Sequence, residues 1–308
     1  KIYIKYFKKK NVDISYVKKI KENNKNNLLN LLLPAFEQAI FEIFSKEKKM
    51  SVAKVLNKKG LLNLDFYASG GMFFEGQNNQ KMLDEAFAAK EDGYSGYKYR
   101  PPMPKSNLSH QQRIKNPPPL DIKAIEIFSN KLRVKLGSNF KIMIDLGCRC
   151  RNIKDTKYLF EMFKEHNYYF IEEPFKRNFM YYKILEKIKT KINIAGGEHI
   201  NNIQQFYKWN KKGCFNFFQP DTNLMLFSEI NLMIKKIGFE KIILHSWCNK
   251  INFLSNINFA FSLKKKILIE KNIIPNPYDY FFNIEKKEVK NGKINFKNVI
   301  GYGLSIND

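Results

Sequence analysis

The strongest constraint on this chain is a spacing. Short apolar runs end on or near Asp145, Glu172, Glu198, Asp221, His245 and Glu270, at intervals of 27, 26, 23, 24 and 25 residues. Each interval has room for one strand, one helix and two short connections. Parallel strands joined in this way carry their C-terminal ends on one side, so the six residues belong on a single rim. A lone acid after a strand is ordinarily a helix cap or a solvated loop residue. Six in phase are not easily produced by capping, and in a chain with 48 lysines chance would place Lys among them.

Extending the pattern gives eight strands, at residues 64–69, 96–100, 141–145, 168–172, 192–195, 215–219, 241–244 and 267–270. Their strict strand-then-helix order predicts an α/β fold, a TIM-like (β/α)8 barrel over residues 64–271. Ahead of it, apolar residues at helical spacing (Phe36, Ile40, Phe44 and Val52) predict a helix and a short second one within residues 31–55. After it, residues 272–308 turn to short strands and turns, Asn291-Gly292 among them. Residues 1–63 and 272–308 are expected to pack together as an α+β capping domain. The Pro-rich stretch 101–120 reads as an extended loop, with His110 as a surface residue.

The net charge of +25 raises the question of nucleic acid. The 48 lysines face only six arginines and spread along the whole chain, and no zinc-finger, RNP-like or phosphate-loop spacing is present. Lys, Asn, Ile, Phe and Tyr all have AT-rich codons, which accounts for the charge without a nucleic-acid partner. No run of about 18 apolar residues suggests a membrane span. Cys148, Cys150, Cys214 and Cys248 are scattered, so reduced thiols and a cytoplasmic location are expected.

Five motifs then carry a family resemblance. Tyr67-Ala68-Ser69-Gly70-Gly71, Ile171-Glu172-Glu173-Pro174, Ala195-Gly196-Gly197-Glu198-His199, Gln219-Pro220-Asp221 and Leu244-His245-Ser246-Trp247 resemble, in order and spacing, the mandelate racemase/muconate lactonizing enzyme-like subgroup of the enolase superfamily. The resemblance implies a Mg²⁺ site built from Asp145, Glu172 and Glu198, consistent with that ion's demand for hard oxygen ligands. It also implies a His245–Asp221 dyad as general base, and Glu270 as a group that hydrogen-bonds the substrate carboxylate. The family carries Lys-x-Lys on the second strand. Here Lys98-Tyr99-Arg100 stands in its place, with Lys98 and Arg100 on one face.

Two departures refine the expectation. Arg100 stays protonated and is a poor base, which disfavours two-base racemisation. It suits an anion clamp, while Lys98 either neutralises the substrate carboxylate or serves as a lone base. Gly147 stands where relatives carry Asn or His, so a polar side chain is lost. His245 is then left to both proton steps, and the implied activity is a hydro-lyase: dehydration of an aldonic or aldaric acid sugar to a 2-keto-3-deoxy acid. A racemase or epimerase, or an inactive protein of the same fold, are the alternatives. The resemblance further implies a homo-oligomer. The chain begins at Lys1, and most of the family's early cap strands are not recognisable, so an N-terminal truncation is expected.

Overall fold

The computed structural model of the chain describes residues 17, 21, 27–71, 78–101, 118–188, 191–247, 249–276, 279, 282–284, 292–294 and 299–306. Two helices come first, α1 (Asn27–Glu47) and α2 (Val52–Leu56). The strands β1 (Asp65–Ser69), β2 (Gly96–Tyr99), β3 (Lys141–Asp145), β4 (Tyr168–Glu172), β5 (Ile194–Gly196), β6 (Phe217–Phe218), β7 (Ile243–Leu244) and β8 (Leu268–Asn272) follow. All pair in parallel, in the order β6-β5-β4-β3-β2-β1-β8-β7. One parallel bridge, Phe218 to Ile242, joins the two ends, and the sheet is a nearly closed barrel. This is the fold class the spacing predicts.

The connecting helices are α3 (Asn79–Glu91), α4 (Ile122–Leu136), α5 (Ile153–Glu165), α6 (Phe179–Tyr182), α7 (Ile203–Lys211), α8 (Phe227–Ile237) and α9 (Lys250–Phe261). Asn and Asp side chains start most of them: Asn78, Asp121, Asn152, Asn202 and Asn249 each accept a backbone N–H from the first turn. Each such cap contributes about 1 kcal/mol and marks where a strand-end loop must stop.

Alternation along the strands sorts two cores. Ile142, Ile144, Tyr97, Tyr99, Ile171, Leu244 and Ile269 point outward to the helices. Tyr67, Met143, Phe170, Ala195 and Ile243 point inward and fill the barrel, with Phe217 and Leu268 packed beside them. Two residues further along the same strands, the inward positions are Ser69, Asp145, Glu172, His245 and Glu270. The apolar plug is therefore the floor of whatever those polar groups form.

The fifth, sixth and seventh strands depart from their expected bounds. The fifth starts at Ile194, the sixth is only Phe217–Phe218, and the seventh is Ile243–Leu244 behind a 3-10 turn over Phe239–Lys241. The last two flank the seam, where a single bridge leaves few ladder bonds to hold extended backbone. The β4–β5 connection is one helical turn and a 3-10 turn over Lys183–Lys187 in place of a full helix. His110 and Asn291 lie outside the described residues.

The termini meet. Val52 donates to the Gly301 carbonyl at 3.0 Å, and Gly301 donates back to Met50 at 2.9 Å. β9 (Phe282–Ile284) and β10 (Leu304–Ile306) form an antiparallel pair. Helix α1 lies against the β6–α8 connection, with Gln38 donating to the Thr222 carbonyl at 2.8 Å and Glu37 accepting the Phe227 N–H at 2.8 Å. Among the described residues no helix is long and apolar enough to cross a membrane.

If the inward plug supports the rim, Phe170→Ala should cost about 3–5 kcal/mol, read as a lower urea midpoint. A loss below about 1 kcal/mol would contradict this packing.

Candidate active site

Inward alternation on β2 turns Lys98 into the barrel mouth, directly above the plug. Its ammonium lies 2.7 Å from both carboxylate oxygens of Glu172 and 2.8 Å from Oε1 of Glu270. It also sits 5.7 Å from the centre of the Tyr67 ring. All three charged groups are buried. Burial favours a neutral lysine, yet the carboxylates of Glu172 and Glu270 override it and hold Lys98 well above its ordinary range. Burial likewise pushes Glu172 up, to about 8, with Lys98 as the opposing pull and the neighbouring acids Asp145, Glu270 and Glu198 adding to the rise. Glu270 resists burial through Lys98 and His245 and falls to about 2. The geometry places Lys98 as a buried cation shared by two carboxylates.

Arg100 leaves β2 beside Asp145 at the end of β3. Its Nε donates to Oδ2 of Asp145 at 2.8 Å, and its Nη2 bonds the same oxygen. The Gly147 N–H takes the other oxygen at 2.8 Å. Burial raises the pKa of Asp145, but the charges of Arg100 and Lys98 outweigh it and lower the pKa.

The Glu-Glu pair after β4 divides its work. Glu172 faces the mouth, while Glu173, at φ 41°, turns away and accepts the Gly197 N–H at 3.0 Å. Gly197 has φ +95°, a conformation L side chains avoid, and that turn carries Glu198 to the rim. Arg177 bridges the two acids, 3.5 Å from Glu173 and bonded to Glu198.

Across the mouth, His245 Nδ1 lies 2.8 Å from Asp221 Oδ2, which leaves Nε2 facing Glu198 at 3.2 Å and Glu270 at 3.9 Å. The other oxygen of Asp221 is held by Asn252 Nδ2 and by the Asn223 N–H, both at 2.7 Å. Burial opposes the charged imidazole, but Glu198, Glu270 and Asp221 prevail and raise His245 to about 10.

One cleft of about 220 Å³ gathers Ser69, Lys98, Arg100, Asp145, Glu172, Glu198, His245, Trp247 and Glu270. Asp221 stands behind His245. The three carboxylates that resemble metal ligands thus share the cleft, and each is turned toward a cation of the chain: Asp145 to Arg100, Glu172 to Lys98, Glu198 to Arg177. As they stand, no three donors among the described residues converge on one point. The donor set still suits a hard dication. It is all oxygen: the carboxyl groups of Asp145, Glu172 and Glu198 line one cleft, the donor type that a hard dication takes.

Sequence reasoning missed Asn252, Gln219 and Arg177 as supports of Asp221, Glu172 and Glu198. Gln219 had a signal, because it sits two residues after the inward-facing Phe217 and two before Asp221. Asn252 and Arg177 had none in a chain so rich in Asn and basic residues.

Removing the cation that two buried carboxylates share leaves both uncompensated, so Lys98→Met should cost about 3–5 kcal/mol in denaturant unfolding. A near-neutral change would contradict the pairing. In metal-free protein the His245 imidazole should keep its proton to about pH 10, seen by 15N NMR. Its raised pKa stabilises the fold below about pH 6.5, and that contribution is lost as pH rises toward 10. Titration near 6.5 would show that the carboxylates do not act on it.

The comparisons with known proteins follow the same lines. A model of the family described as Enolase C-terminal domain-like matches residues 81–308. No curated protein matches the chain by sequence. Among solved structures, the 3,6-anhydro-D-galactonate cycloisomerase from Zobellia galactanivorans is 19% identical, with a TM-score of 0.75 over 94% of this chain and 76% of that one. A protein from Salmonella enterica serovar Typhimurium with a provisional dehydratase assignment is 18% identical, with a TM-score of 0.79 over 95% and 79%. A racemase from Streptomyces coelicolor A3(2) with bound magnesium is 14% identical, with a TM-score of 0.74 over 96% and 77%. Identities this low speak for the fold alone, but the family model spans well over half of the chain, and the chain is a member of the enolase superfamily.

Proposed function

We propose that this enolase-superfamily enzyme acts on a carboxylate by removing its α-proton, and that the reaction is dehydration of an aldonic or aldaric acid sugar. The observation that carries the reading is the asymmetry of the cleft. His245 Nε2 faces the space with Nδ1 committed to Asp221, while the groups on β2, Lys98 and Arg100, are both held protonated by carboxylates. One proton-transferring group on one face serves an elimination, in which it takes the α-proton and returns it to the departing β-hydroxyl. Racemisation needs a second base opposite, and the β2 residues do not offer one.

In this reading Asp145, Glu172 and Glu198 would hold Mg²⁺. The ion would supply positive charge beside the substrate's carboxylate oxygens, where negative charge gathers as the α-proton leaves. A dication on Glu198 would relax one of the attractive pulls on His245, leaving those of Glu270 and Asp221. Lys98 and Arg100 place positive charge beside the substrate carboxylate, and Glu270 orients it from β8. The described parts of the segments before β1 and after β8, joined at Val52 and Gly301, would belong to a cap on the barrel.

The test is incubation with Mg²⁺ and a panel of aldonic and aldaric acids, assaying 2-keto-3-deoxy products. Product should form with at least one acid, and His245→Asn should lower kcat by about 10²–10⁴-fold. Epimerised substrate without keto-acid would favour the racemase reading, and no turnover of any acid would favour an inactive fold.

A further inference from the structure

We propose that Arg100 is a built-in competitor for the metal: its guanidinium holds Asp145, and a divalent cation must displace it to bind there. The inference rests on the reading of Asp145, Glu172 and Glu198 as the metal site. Two nitrogens of Arg100 bond the same oxygen of Asp145 and fill its acceptor sites, while the Gly147 N–H takes one site on the other oxygen. A planar guanidinium placed this way supplies directional bonds that a flexible ammonium does not.

Two further observations show why Arg100, and not Lys98, is the cation that yields. Lys98 is enclosed by Glu172 and Glu270 with its side chain 4% exposed, whereas the Arg100 side chain is 30% exposed at the open end of its strand. Gly147 supplies the room. A Cβ there would lie 3.8 Å from Arg100 Nε, in ordinary contact, so a longer side chain turned toward Arg100 would compete for the space of the guanidinium. Once displaced, Arg100 remains in the cleft as a cation for an anionic substrate. Metal affinity is lowered both by the bonds that must break and by the like charge that stays nearby.

Calorimetric titration with Mg²⁺, and electron paramagnetic resonance of free Mn²⁺, test this without substrate. Arg100→Met should bind either ion at least about tenfold more tightly than the parent protein, equivalent to about 1.4 kcal/mol. Asp145→Asn added to Arg100→Met should abolish the gain. Gly147→Asn gives a second route that removes no charge: Asn tolerates the left-handed backbone at φ +55°, and its side chain should push Arg100 aside and raise affinity. That variant also answers the case in which Arg100→Met fails to fold. Equal affinities in the parent and both variants would overturn the role of Arg100 while leaving the metal site standing. Absence of binding in all of them would remove the metal site and this inference together.

Discussion

Charge compensation at the barrel mouth is the constraint on which the rest depends. Glu172 at the end of β4 and Glu270 in the middle of β8 are buried, where an uncompensated carboxylate costs several kcal/mol. The single ammonium of Lys98 reaches both because β2 places it above the Tyr67 ring, at the top of the plug. That position exists only if the strands alternate apolar inward residues with polar ones two residues later. The plug, the register and the ion cluster therefore stand or fall together.

Around this fixed centre the structure arranges groups with graded freedom. Asp221 is locked by Asn252 and by its own loop, so His245 has one orientation and one nitrogen toward the cleft. Glu173 and Arg177 hold the loop that presents Glu198. Arg100 and Glu198 are more open than Lys98 and Glu172, which places the adjustable charges at the surface of the cleft and the fixed ones below.

Much of this was legible in the sequence because it depends on two periods. The interval of about 25 residues gave the barrel, and alternation gave the inward faces, which together placed Asp145, Glu172, His245 and Glu270 in one mouth. What stayed hidden depends on contacts between strands. The pairing of Arg100 with Asp145 follows from the register that sets Tyr99 beside Ile144, which no single-strand pattern contains. The short β6 and β7 reflect a seam that exists only after closure. Asn252 is indistinguishable in sequence from the Asn residues that cap helices, although it is the one whose amide reaches Asp221.

The central claim is that three carboxylates on neighbouring strands form a metal site beside His245. The most direct measurement is a crystal structure of the full chain grown with Mn²⁺, with the ion located by its anomalous scattering. The account predicts one strong peak among Asp145, Glu172 and Glu198, with Arg100 moved off Asp145. Mn²⁺ absent from the cleft at millimolar concentration, with Arg100 still on Asp145, would contradict it.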